Sequence, residues 1–195
     1  EIYRANDIEV LYCYDPIDEF VLPGLMEYKD KKIVSADQID SEKLAKMTGK
    51  EEEEKTEEEK KSTKAVEKLT RRIKNILGER VEDVKVSDRL VDSPALLLGK
   101  DKMMSSRMEK IMQMMNKEAT LTPKILEINE KHPFIINMQK IYEKDAKDPL
   151  LTKMVNSLFT SVLLVDGSVD DPQTMAHSIQ EVLSDTAELY LNKNE

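Results

Sequence analysis

Few residues in this chain could do covalent or acid–base chemistry. It has one cysteine, Cys13, and two histidines, His132 and His177. A thiolate nucleophile needs a base within hydrogen-bond reach, and no spacing here brings Cys13 to either histidine. Two histidines and one cysteine, far apart in sequence, give no zinc-ligand pattern. Thr48-Gly49-Lys50 imitates the end of a phosphate loop. However, Leu44 stands where the first glycine belongs and Glu51 where the hydroxyl belongs, so the match fails. Carboxylates number 39, so acid pairs arise by chance and do not indicate a hydrolase. These residues predict no catalytic, cofactor or metal site.

The spacing that stands out belongs to recognition. Six of the thirteen residues from Met103 to Met115 are methionine. Read as a helix, Met104, Met108, Ile111, Met112 and Met115 fall on one face, with Met103 and Met114 off it. Ser105, Ser106, Arg107, Glu109, Lys110 and Gln113 fall mostly on the other. The ordinary reading of such a stripe is a core face. The other is a surface that fits varied partners, for which methionine's flexible, polarizable side chain is suited. Pattern alone leaves both open.

Composition narrows the classes. The chain has 195 residues, 35% of them charged and 5% aromatic, with a net charge of -9. Long solvated helices fit this balance. A nucleic-acid partner is not expected, because phosphate binding needs a basic surface. No apolar stretch approaches the ~20 residues of a membrane span. The opening EIYRAND is not a signal peptide, and it lacks an initiator methionine, as a fragment would. A single cysteine excludes an internal disulfide and fits a reducing, cytoplasmic setting.

The elements that must position these residues follow from period and punctuation. Ile8–Cys13 reads as a strand. Asp15-Pro16 with Asp18 and Glu19 starts a helix that runs to about Leu22, where Pro23-Gly24 bends or stops it. Asp30-Lys31-Lys32 reads as a turn before a short strand, Ile33–Ser35. From Ser41 to Thr63 apolar content nearly vanishes, and EEEEKTEEEKK reads as a solvated helix or flexible linker. The domain boundary falls here: 1–38, then a charged 39–64, then 65–195.

Val66, Leu69, Ile73, Ile76 and Leu77 continue as a helical stripe ended by Gly78. Val84–Leu90, Ala95–Leu98 and Lys124–Ile128 read as strands. Phe134–Tyr142 is a short helix after His132-Pro133. Two longer helices close the chain, opened by Asp148-Pro149 and Asp171-Pro172 and separated by Asp166-Gly167. Leu151, Met154, Val155, Leu158, Val162 and Val165 form the first stripe. Met175, Ile179, Val182, Leu183, Thr186 and Tyr190 form the second. Such a pair leaves one side of each stripe poorly covered. The rest of the domain could cover it, or a second copy could. Two-fold dimers being the commonest oligomers, we take the second. The fold class is therefore α+β: a small three-stranded sheet with packed helices and a C-terminal helix pair, preceded by a small α/β piece.

Several motifs in one order carry a resemblance. VKVSDRLVDSPALL, MSSRMEKIM, LEINEKHP and DPQTMAHSIQEVL resemble the C-terminal domain of the ninety-kilodalton heat-shock chaperone family, and IEVLYCYDPIDEF resembles the end of its middle domain. The resemblance covers nearly the whole chain. It implies a homodimeric, ATP-driven protein-folding machine of the stress response. This chain would be the end of the middle domain plus the dimerisation domain. No cofactor belongs to this part, ATP and Mg being bound by the full-length parent. The resemblance implies a four-helix bundle at the dimer interface, carried onto Met154, Leu158, Val162, Ile179, Leu183 and Tyr190.

It also places a client-facing helix at Met104–Met115, with Met104, Met108, Ile111, Met112 and Met115 on the face that meets unfolded or partly folded clients. The bacterial middle domain adds a tryptophan and, three residues on, an asparagine. Here Phe20 keeps an aromatic surface and Pro23 cannot supply the amide. The chain ends LNKNE, without the acidic co-chaperone tail of eukaryotic cytosolic members, which suits a bacterial, cytoplasmic member. The alternative is a helical dimeric adaptor without folding activity.

Overall fold

Sixteen core side chains gather in one cluster, which places the centre of the fold between a small sheet and three helices. The structure, a computed structural model, describes residues 2–15, 17–36, 39, 57–87, 89–99, 123–168 and 171–193. Among these, six helices, a two-stranded ribbon and a three-stranded sheet give the expected α+β class.

The N-terminal block holds α1 (Ile2–Ala5), α2 (Asp18–Leu25), β1 (Glu27–Tyr28) and β2 (Lys31–Lys32). Asp15 opens α2 as the sequence implies. Its Oδ1 accepts from the Ile17 amide, and the Asp18 carboxylate accepts from the Asp15 amide, a reciprocal cap. Three expectations fail in this block. Pro23-Gly24 does not stop the helix, which runs through both to Leu25. Pro23 is the sixth of the eight residues, and a proline so near the end of a short helix removes only one ladder bond. The chain turns instead at Met26, whose φ is +54°.

The expected strand Ile33–Ser35 is not formed. The ribbon pairs Glu27 with Lys32 and Tyr28 with Lys31, around Lys29 and Asp30 at φ +49° and +62°. Both central residues are left-handed, the signature of a two-residue hairpin turn. Ile8–Cys13 forms no strand either. Its β-rich composition has no described neighbour with which to build a ladder, and a strand is defined by that pairing.

The larger domain begins with α3 (Glu57–Leu77), which rises out of the charged run. Val66, Leu69, Ile73 and Leu77 on its inner face are buried. Each contributes roughly 1.5–3 kcal/mol by leaving water. Gly78, at φ +60°, ends it. Lys74 Nζ donates to the Gly78 and Val81 carbonyls at 2.7 and 2.6 Å, so a cation meets the negative helix end.

The sheet contains β3 (Asp83–Val86), β4 (Ala95–Leu98) and β5 (Ile125–Ile128), with β5 central, parallel to β3 and antiparallel to β4. Register sets Val84 beside Leu126, and Val86 and Ala95 beside Ile128. Because side chains alternate, these share the face that packs on the helices.

The remaining helices are α4 (Pro133–Lys144), α5 (Pro149–Asp166) and α6 (Pro172–Lys193). Each begins with proline after a capping side chain. His132 Nδ1 accepts from the Phe134 amide at 3.1 Å, Asp148 from Leu150 at 2.8 Å, and Asp171 from Gln173 at 2.9 Å. At the end of α5, Gly167 is left-handed and its amide bonds Leu164 O. The Ser168 amide reaches back to Leu163 O. This six-to-one, five-to-two pattern stops the helix and starts the hairpin.

Candidate interaction surface

The α5–α6 hairpin carries the predicted self-association residues, and the structure divides them. Leu158 and Val162 lie in the chain's own core, at 4% and 5% exposure. Met154 is half-buried against the same cluster. Ile179, Leu183 and Tyr190 are exposed, the last two at 63% and 70%. The α5 stripe is therefore covered as far as Val162, with Val165 at its end exposed, while the α6 stripe is open along Ile179, Leu183 and Tyr190.

The half-buried residues of α6 are Met175, Ser178, Val182 and Asp185, spaced at three or four. They form the face turned to α5, and two of the four are polar. The helix thus rests on α5 through a thin apolar contact. Lys153 on α5 clasps it in addition, with Nζ 2.7 Å from Asp185 and 3.2 Å from Glu181. Those two carboxylates, Asp185 first, hold the Lys153 ammonium above its usual range.

Leu189 and Leu191, both exposed, flank Tyr190 near the end of α6. The sequence reading omitted them, although an apolar Leu-Tyr-Leu triplet at a helix end was a signal in plain view.

Two further ion pairs brace the domain. Lys124 Nζ lies 2.8 Å from Asp166 Oδ2, with both side chains nearly buried. Ser168 Oγ also donates to Asp166. This ties the entry to β5 to the hairpin turn. On the other face of the sheet, Arg89 Nε lies 3.4 Å from Glu127 Oε2, and Ser87 Oγ donates to the same carboxylate at 2.8 Å. Sequence gave no signal for these pairs, because their partners lie about forty residues apart.

The second predicted surface is only partly in view. Phe20 is 57% exposed on α2, and Ile17, Val21, Met26 and Tyr28 are exposed around it. Met104, Met108, Ile111, Met112 and Met115 lie outside the described residues. Among the described residues, no three acidic, histidine or cysteine side chains cluster as metal ligands would. Nor is any helix long and apolar enough to cross a membrane.

Comparison with known proteins places the chain in a family. The chaperone protein HtpG of Oleidesulfovibrio alaskensis is 36% identical over 191 residues, which is 97% of this chain and 30% of that protein. The HtpG proteins of Nitratidesulfovibrio vulgaris and Chlorobaculum tepidum are 35% and 38% identical, again covering 94% or more of this chain. The chain therefore spans about 30% of the length of the curated relatives it matches. The family model described as Hsp90 protein matches residues 1–195, and the chain belongs to that family of chaperones.

Proposed function

We propose that this chain is the self-associating, client-contacting part of an HtpG-type chaperone. In this reading α5 and α6 of two copies form a four-helix bundle in a cytoplasmic homodimer. The observation that carries it is the uncovered apolar row on α6. Ile179, Leu183 and Tyr190 are exposed along one face of a helix whose inner face is half polar, and Leu189 and Leu191 are exposed to either side of Tyr190. A contiguous apolar face of this kind marks a contact surface. A two-fold partner would cover that row.

Phe20, with Met104, Met108, Ile111, Met112 and Met115, would meet unfolded or partly folded clients. ATP and Mg would act elsewhere in the full-length protein, and this part would do no chemistry of its own.

The test is sedimentation of the chain across the micromolar range. A dimer is expected for the native sequence, and a folded monomer for Leu183→Asp. Native chains that stay monomeric throughout would overturn the reading. The client role is tested separately, by adding the chain to an aggregating unfolded protein. Slower aggregation, abolished by serine at Met104, Met108 and Met112 without loss of melting temperature, is expected. A helical adaptor without folding activity would dimerise and leave aggregation unchanged.

A further inference from the structure

Arg89 occupies a position that the chaperone reading does not use. Its guanidinium faces two ways. Nε pairs with Glu127 on the central strand, and the fork's other arm donates to the Ile39 carbonyl at 3.0 Å, fifty residues away in sequence. Both side chains of the ion pair are largely buried, at 15% and 13% exposure. Ser87 Oγ donates to the same carboxylate, so Glu127 holds Arg89 in place. A planar fork holds its donors apart in fixed directions, so it serves a carboxylate on one side and a carbonyl on the other.

Ile39 opens the segment expected to be a charged linker, but it packs with the N-terminal block. It is buried with Ile2, and Tyr3 packs against the two. Tyr3 Oη donates to the Ala36 carbonyl at 2.8 Å, which closes the block's ends on one another. Beyond this small cluster, among the described residues, no helix or strand of the block packs broadly on the larger domain. A groove of about 400 Å³ remains between them, lined by Ile2 and Tyr3 on one side and by Arg89, Leu90, Leu96 and Val162 on the other. An interface this small and open does not fix an angle by packing, since interdomain contacts of this size move by default.

We infer that Arg89 is the latch that sets the orientation of the N-terminal block on the sheet domain. Glu127 serves as its anchor and the Ile39 carbonyl as its catch. Releasing the catch frees the block to reorient while the sheet domain stays folded. Arg89 is thus a positioning residue for the relation between the exposed Phe20 surface and the α5–α6 hairpin. The inference does not depend on self-association.

The test measures the distance between nitroxide labels at Lys32→Cys and Lys140→Cys in a Cys13→Ser background. The full chain is used, diluted with unlabelled protein so that only distances within one chain are read. The unaltered latch should give one narrow distribution. Arg89→Lys keeps a charge beside Glu127 but loses the fork. It should give a broad distribution with little change in melting of the sheet domain, which a merely structural role would not produce.

Arg89→Leu with Glu127→Leu removes both charges without leaving one buried alone, and should broaden the distribution likewise. A narrow, unshifted distribution in a folded Arg89→Lys or double-leucine chain would overturn the latch. A broad distribution already present in the unaltered chain would overturn it equally.

Discussion

Helices α5 and α6 look alike in sequence and end up in opposite situations. Both open with Asp-Pro, both cap that turn with the aspartate, and both carry an apolar stripe at three-four spacing. Yet Leu151, Val155, Leu158, Phe159 and Val162 on α5 are buried, while Ile179, Leu183 and Tyr190 on α6 stand in solvent. The difference lies in their neighbours. The first helix is packed between β4, α3 and α4, whereas among the described residues the second packs chiefly on α5. Periodicity specifies that a helix has an apolar face; it does not specify what covers that face.

The sharpest way to break this contrast is an aspartate on each helix. Leu158→Asp buries a charge without a partner and should unfold the larger domain, seen as loss of the cooperative melting transition. Leu183→Asp leaves the charge in solvent within one chain and should keep the fold. Equal melting temperatures for the two variants would erase the distinction drawn between these helices.

Next in size is the pair that anchors the hairpin turn. Lys124→Met leaves Asp166 nearly buried without its cation and should cost about 3–5 kcal/mol of stability, measured by denaturant unfolding. Both carboxylate and ammonium are close to fully buried, so this loss should persist at high salt.

A smaller effect is expected at the start of α4. His132→Ala removes the acceptor for the Phe134 amide and should cost about 0.5–2 kcal/mol. His132→Asn, a good capping residue, should restore most of it. If asparagine fails to rescue, the histidine acts through packing and not as a cap.

The smallest change belongs to Lys153. Replacing it by methionine removes the clasp on Asp185 and Glu181, both substantially exposed. The melting temperature should fall slightly at low salt and not at all in concentrated salt, because exposed pairs are screened. A large drop at both salt concentrations would mean that the clasp, and not the thin apolar contact, holds α6 in place.

Much of the larger domain was legible beforehand. The expected strand Ala95–Leu98 has those bounds, and Lys124–Ile128 differs from β5 by one residue. The prolines of α4, α5 and α6 marked their first turns, and Gly78 and Gly167 marked two ends. Local rules sufficed here because caps, prolines and left-handed glycines act within a few residues. The N-terminal block was read less well. Ile8–Cys13 has strand composition without a described pairing partner, and the hairpin at Lys29-Asp30 lacks the glycine that usually announces one.

The sequence by itself determined the helices of the larger domain, the order of its strands along the chain, the apolar face of each and membership of the chaperone family. These rest on short-range periodicity and on motifs in a fixed order. Only the tertiary structure decided which strand lies at the centre of the sheet. It alone placed Lys124 on Asp166 and Arg89 between Glu127 and Ile39. It alone separated the covered stripe of α5 from the open stripe of α6. Each of these depends on residues far apart in the chain meeting in space, and a linear pattern holds no record of such a meeting.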